Sequence, residues 1–135
     1  MTTNSRPRLA VLIDAENASA AKADLVMEIA AGFGRLTVRR AYGNWTTSQL
    51  TPWKRVIARL GIQPLQQFRY VKGKNTTDFA LVMDAMELLH EGGLDGMCLV
   101  SSDSDYISLV ARIRQRGLMV YGFGGRQTVG DFVAA

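Results

Sequence analysis

Cysteine and histidine are almost missing from this chain: Cys98 and His90 are the only ones in 135 residues. A single cysteine excludes an intrachain disulfide. Together with one histidine it cannot furnish the four ligands of a structural zinc site. Cys98 sits in the apolar run Met97-Cys-Leu-Val100, where a reduced core thiol is expected rather than a nucleophile. Proline is also scarce, with three residues, and no Pro-, Ser- or Gly-rich stretch marks a linker. Internal repeats and low-complexity segments are absent. No apolar run approaches the ~18 residues a membrane span needs. The first such run, Leu9 to Ile13, stops at Asp14 and is too short for a signal peptide. A cytoplasmic protein without membrane contact is the expectation.

What is present is ordinary for a globular domain: 47% hydrophobic and 21% charged residues. A single domain of this length buries close to ~70% of its unfolded surface, enough for a real core. The charge distribution is more informative. Sixteen Lys and Arg oppose twelve Asp and Glu, a net charge of +4. If Asp14, Glu16, Asp78, Asp103 and Asp105 converge, seven acids remain elsewhere and the rest of the surface carries +9. A basic body around an acidic pit suits a polyanionic substrate held over bound cations. An ordinary basic protein has the same totals.

Short apolar runs alternate with helical patterns. Leu9 to Ile13, Leu36 to Tyr42, Ile62 to Tyr70, Gly96 to Ser101 and Leu118 to Phe123 read as strands. Helices are predicted over Ser19–Ala31, Thr51–Leu60, Asp78–His90 and Tyr106–Arg116. Pro64 places the third strand at a sheet edge, and Pro52 stands in a first helical turn. Alternating strands and helices give a parallel sheet covered on both faces. Short right-handed crossovers favour the order 3-2-1-4-5, with strands 1 and 4 adjacent. The segment Asp131–Ala135 reads as the start of another helix, which suggests the N-terminal domain of a longer protein.

The strand Met97 to Val100 breaks into Ser101-Ser-Asp-Ser-Asp105, and the first strand breaks at Asp14. Both ends lie where open α/β sheets keep their ligand crevice. Asp78 opens a helix and has a sufficient structural reason there, since it complements the helix dipole. With Asp14 and Asp103 it gains a second one. Several carboxylates crowded together repel, and a divalent cation relieves them. Oxygen-only sites suit Mg²⁺ or Mn²⁺ rather than zinc. Two such ions about 3.5–4 Å apart would serve phosphodiester hydrolysis. A D-x-D alone is a weak signal. The Asp14-Ala-Glu-Asn17 sequence after the first strand argues against a haloacid-dehalogenase-type phosphatase. Gly122-Phe-Gly-Gly125 is no dinucleotide fingerprint.

Three stretches taken in order carry a resemblance. They are Leu12-Ile-Asp-Ala-Glu-Asn17, Lys72-Gly-Lys-Asn-Thr-Thr-Asp78 opening Phe79 to Ala85, and Val100-Ser-Ser-Asp-Ser-Asp-Tyr106. Together with Tyr42-Gly-Asn-Trp45 and Val120-Tyr-Gly-Phe-Gly124, the set resembles the NYN domain, which includes LabA-like and limkain-type proteins in the PIN-like nuclease superfamily. The resemblance spans nearly the whole chain. It implies a PIN-like α/β/α sandwich with a parallel sheet of five strands or six. It implies a metal-dependent endoribonuclease whose acidic residues are Asp14, Asp78, Asp103 and Asp105, with Mg²⁺ or Mn²⁺ as cofactor. Asn17 is the polar residue beside them, and Glu16 is a candidate for the glutamate such sites often carry.

Around this site, Asn17 and Ser101 are expected to hold a water or a phosphate oxygen. Lys74 is expected to contact phosphate, and Trp45, in a polar loop, to stack on an unpaired base. Trp53, at helical spacing, is expected in the core. Arg39, Arg40, Lys54, Arg55 and Arg59 supply positive charge. Asp84 lies about 240° around its helix from Asp78 and forms a stripe with Glu87 and Glu91, which reads as a solvated face. The expected partner is single-stranded RNA, with a C-terminal domain beyond this chain and a homodimer left open. The alternative is a catalytically inactive RNA-binding or protein-interaction module of the same fold.

Overall fold

The computed structural model describes residues 6–67, 76–102 and 106–124, without the side chains of 76–78. Its sheet is built from β1 (Arg8–Asp14), β2 (Arg35–Gly43), β3 (Gln63–Gln66), β4 (Gly96–Val100) and β5 (Met119–Phe123). All pairings are parallel and the order is β3-β2-β1-β4-β5, as the crossover argument requires. Four helices connect them: α1 (Ala23–Phe33), α2 (Thr51–Ile57), α3 (Thr76–Glu91) and α4 (Ile107–Gln115). Several boundaries differ from the pattern reading by a few residues. The predicted Ser19 helix splits into a short 3₁₀ turn, Ala20–Lys22, capped by the Ser19 hydroxyl, and then α1. The third strand is four residues long, and Pro64 lies in it at the sheet edge. The Asp131–Ala135 segment lies outside the described residues.

Period-2 alternation divides the core in two. Leu9, Val11, Ile13, Ala41, Cys98, Val100 and Phe123 face α1 and α2, meeting Met27, Ala30 and Trp53. Ala10, Leu12, Tyr42, Met97, Leu99 and Val120 face α3 and α4, meeting Leu81, Ala85, Leu88, Leu109 and Ile113. This is the three-layer sandwich. Trp53 is core, 3% exposed, and donates its indole N–H to the Ala18 carbonyl. Burial pushes the Cys98 thiol up to about 12, so at neutral pH it behaves as a small hydrophobe.

Two features position the site. First, β1 and β4 are adjacent and buried, β1 from Leu9 onward, so their C-terminal ends deliver residues to one rim. Second, α3 ends at Glu91, five residues before β4 begins at Gly96. A 16-residue helix is about 24 Å long, the full height of the sheet. Its first turn, with Asp78, therefore returns to the rim where the strands end.

Candidate functional site

Asp14 is the last residue of β1 and is fully buried. It shares the α3/α4 face with Leu12 by strand alternation. Its Oδ2 accepts three hydrogen bonds: from Asn17 Nδ2 at 3.0 Å, from the Ser101 hydroxyl at 3.0 Å and from the Tyr106 hydroxyl at 3.2 Å. Its Oδ1 is buried and has no hydrogen-bond partner among the described residues. A buried acceptor left this way is costly. A carboxylate whose partners among the described residues are neutral donors on one oxygen alone is suited to accept a cation. Among the described residues no group of three metal-ligating side chains forms. Asp103, Asp105 and Lys74 lie outside the described residues, as does the Asp78 side chain. The Asp78 backbone is in the first turn of α3, three residues before buried Leu81 and seven before buried Ala85. Its Cα is thus on the sheet-facing stripe of the helix.

The loops at this rim brace one another. The Asn17 carbonyl accepts both the backbone N–H and the hydroxyl of Ser102, each at 2.7 Å. Ser101 N–H donates to the Phe123 carbonyl at 2.9 Å. Glu16 accepts the Asn44 N–H at 2.8 Å, tying the loop after β1 to the loop after β2. Gly43, which ends β2, is needed there: a Cβ would lie 2.7 Å from the Leu50 side chain. On the α1 side of the rim a cleft of about 390 Å³ opens between Ser19, Lys22, Val26, Phe123 and Gly124. It shares Asn17 and Ser101 with the Asp14 carboxylate.

The side chains of Asn17 and Ser101 face Asp14, so their first role is to orient it. Tyr106 does the same and is 3% exposed. The sequence places it at a helix start and in the stretch that carries the family resemblance, without a role at the site. The signal was present: an aromatic directly after an acidic run, ahead of an amphipathic helix. Trp45 lies at the same rim, half-buried. Its indole N–H is committed to the Leu65 carbonyl at 3.0 Å, and part of its ring packs on the α1/α2 core.

Asp84 departs from the solvated face expected of it. Arg40 Nη1 reaches both of its oxygens, at 2.9 and 2.8 Å, and the Tyr42 hydroxyl donates to Oδ2. Both partners come from β2, so the network ties α3 to the sheet. Burial first, then the bond to Asp84, push the Tyr42 phenol well above its ordinary value. The Asp84 hydrogen bond also raises the Arg40 guanidinium. Arg59 pairs with Asp24, and Arg39 donates to the Leu60 carbonyl, so these cations are partly committed within the fold.

The NYN domain family model matches residues 8–135. No curated protein matches the chain significantly. The crystal structure of a protein of unknown function from Vibrio parahaemolyticus superposes with a TM-score of 0.70 at 21% identity, covering 98% of this chain and 93% of that one. That likeness shows the fold.

Proposed function

The chain belongs to the NYN domain family, within the PIN-like nuclease superfamily, and on that premise we propose that it is a metal-dependent endoribonuclease acting on single-stranded RNA. The observation that carries this reading is the Asp14 carboxylate: buried at the end of a central strand, oriented by three neutral donors, with Oδ1 unpartnered among the described residues. Such a donor set fits a hard divalent cation, and Mg²⁺ or Mn²⁺ matches an all-oxygen site. Asp14 would hold it with Asp78, which opens α3 at the same rim, and with Asp103 and Asp105, which follow β4 in sequence. When bound, the ion lowers the pKa of water and neutralises charge on the scissile phosphodiester.

The chain's own residues supply positioning. Asn17, Ser101 and Tyr106 fix the direction of the Asp14 carboxylate, the part that residues around metal ligands commonly play. The Asn17–Ser102 bonds hold the loop after β1 against the loop after β4. Lys74 would contact a phosphate, and the exposed part of Trp45 would receive an unpaired base.

The test is cleavage of a labelled single-stranded RNA with Mn²⁺, with 5′-phosphate ends on the products. Asp14→Asn and Asp103→Asn are each expected to lower the rate roughly 100-fold or more, and EDTA to abolish it. Equal cleavage by the wild type and Asp14→Asn would remove the proposal. RNA binding with a steep salt dependence but no turnover, and no calorimetric Mg²⁺ binding, would assign the chain to the inactive-module alternative.

A further inference from the structure

The end of the sheet opposite the Asp14 rim gathers arginines. Arg8 opens β1 and Arg35 opens β2, and the two are register partners across the parallel pair. Their Cα atoms are therefore about 4.8 Å apart. Both are exposed, and neither forms an ion pair among the described residues. Arg6 is beside them, anchored by one bond to the Ala31 carbonyl at 2.6 Å. Together with Pro7 and Asp95 these arginines line a concavity of about 630 Å³. Among the described residues Asp95 is its only acid, and one of its oxygens already accepts the Arg8 backbone N–H at 2.7 Å. Gly34 lets the chain close tightly here, since a Cβ would lie 2.4 Å from the Pro7 carbonyl oxygen.

Three arginines on one concavity outnumber its carboxylate and leave net positive charge there. Arginine is the residue suited to grip phosphate oxygens through paired N–H donors. The backbone around them is rigid: Arg35 N–H donates to the Pro7 carbonyl at 2.7 Å, and Asp95 N–H to the Arg8 carbonyl at 2.7 Å. We propose that this edge is a second phosphate-binding site, which holds the RNA backbone away from the Asp14 rim. The inference rests on the ribonuclease reading for its choice of polyanion. Arg8 and Asp14 stand at the two ends of β1, so the two sites are about 20 Å apart. Only an RNA longer than that span engages both, and the edge then favours long substrates over short ones.

The experiment measures binding of a fluorescent 20-nucleotide RNA in EDTA, where cleavage does not proceed, across a salt series. The Arg8→Gln/Arg35→Gln double variant is expected to bind more weakly, with a log–log salt slope lower by about 1.4, as for two lost contacts to a single strand. Arg8→Lys/Arg35→Lys is expected to keep most of the slope, and Arg112→Gln, an exposed arginine on α4, to leave the affinity largely unchanged. Cleavage of a dinucleotide with Mn²⁺ is expected to be equal in wild type and the glutamine variant, while cleavage of the 20-mer at limiting concentration falls. An unchanged affinity and slope in a folded glutamine variant overturns the inference and leaves the edge to an acidic protein partner. That result does not touch the ribonuclease reading, which Asp14→Asn tests separately. A wild-type chain that binds no 20-mer overturns both.

Discussion

Asp14 and Asp84 are both aspartates on the α3/α4 side of the sheet, and their surroundings separate their roles. Asp14 has neutral donors on one oxygen and nothing on the other among the described residues. Asp84 has a guanidinium and a phenol, which complete its needs. The first is suited to take a ligand and the second to hold the fold. The Tyr42 phenol gives a measurable consequence. Its folded-state pKa is raised above the ordinary value of about 10, so the folded chain retains that proton longer than the unfolded chain does. The associated stability is fully present below pH 10 and is lost as pH rises through the folded value. Tyr42→Phe should cost about 1–3 kcal/mol at neutral pH, by leaving an Asp84 oxygen short of a donor. Above pH 10 it should also lose stability less steeply than wild type, by up to about 1.4 kcal/mol per pH unit. Urea titrations at pH 7 and pH 10–11 check both. The contacts of Asp84 were not legible from its helix. A helical wheel gives direction relative to that helix alone, and Arg40 and Tyr42 reach it from 44 and 42 residues away.

Elements are the level at which the sequence speaks most plainly. β1 and β4 are short, apolar and bounded by Asp14 and Ser101, and a buried parallel strand has to look like that. α3 shows Leu81, Ala85 and Leu88 at helical spacing, and it is the helix that crosses the sheet. The small errors were at ends, where local capping and tertiary contacts compete. Lys22 precedes α1 because the Ser19 hydroxyl is used by Ala21 N–H in the 3₁₀ turn before it. The junction after β2 is the most constrained. A Cβ at Gly43 would lie 2.7 Å from the side chain of Leu50, which is 2% exposed, and 3.4 Å from Glu16 Cγ. Gly43→Ala must push Leu50 or the loop aside. It should destabilise the chain by about 1–3 kcal/mol, seen as a lower urea midpoint at unchanged slope. Because Glu16 braces the same junction, its effect on RNA cleavage should exceed what the lost stability explains at a temperature where the variant is folded.

At the scale of the whole molecule, Asp14 and Glu16 lie at the C-terminal rim of the sheet, and Arg6, Arg8 and Arg35 gather at its N-terminal edge. The net charge of +4 says nothing of where the charges lie. If the rim binds a divalent ion only when folded, the ion must stabilise the fold by mass action. At 100 times its dissociation constant that amounts to about 2.7 kcal/mol, or roughly 10 °C in melting temperature for a domain of this size. Mn²⁺ should therefore raise the melting temperature of the wild type, EDTA should reverse the rise, and Asp14→Asn should not show it. Differential scanning fluorimetry is sufficient to check this. The sequence by itself determined the class of fold, the order of the strands and the end to which Asp14 belongs. Hydrophobic periodicity and parallel topology leave few alternatives for a chain this short. Only the tertiary structure decided what each polar side chain faces. It turned Asn17, Ser101 and Tyr106 onto one carboxylate, gave Asp84 to Arg40 and Tyr42, and set Arg8 beside Arg35. Such pairings depend on register between strands and on helix rotation over the sheet, and no local pattern encodes either.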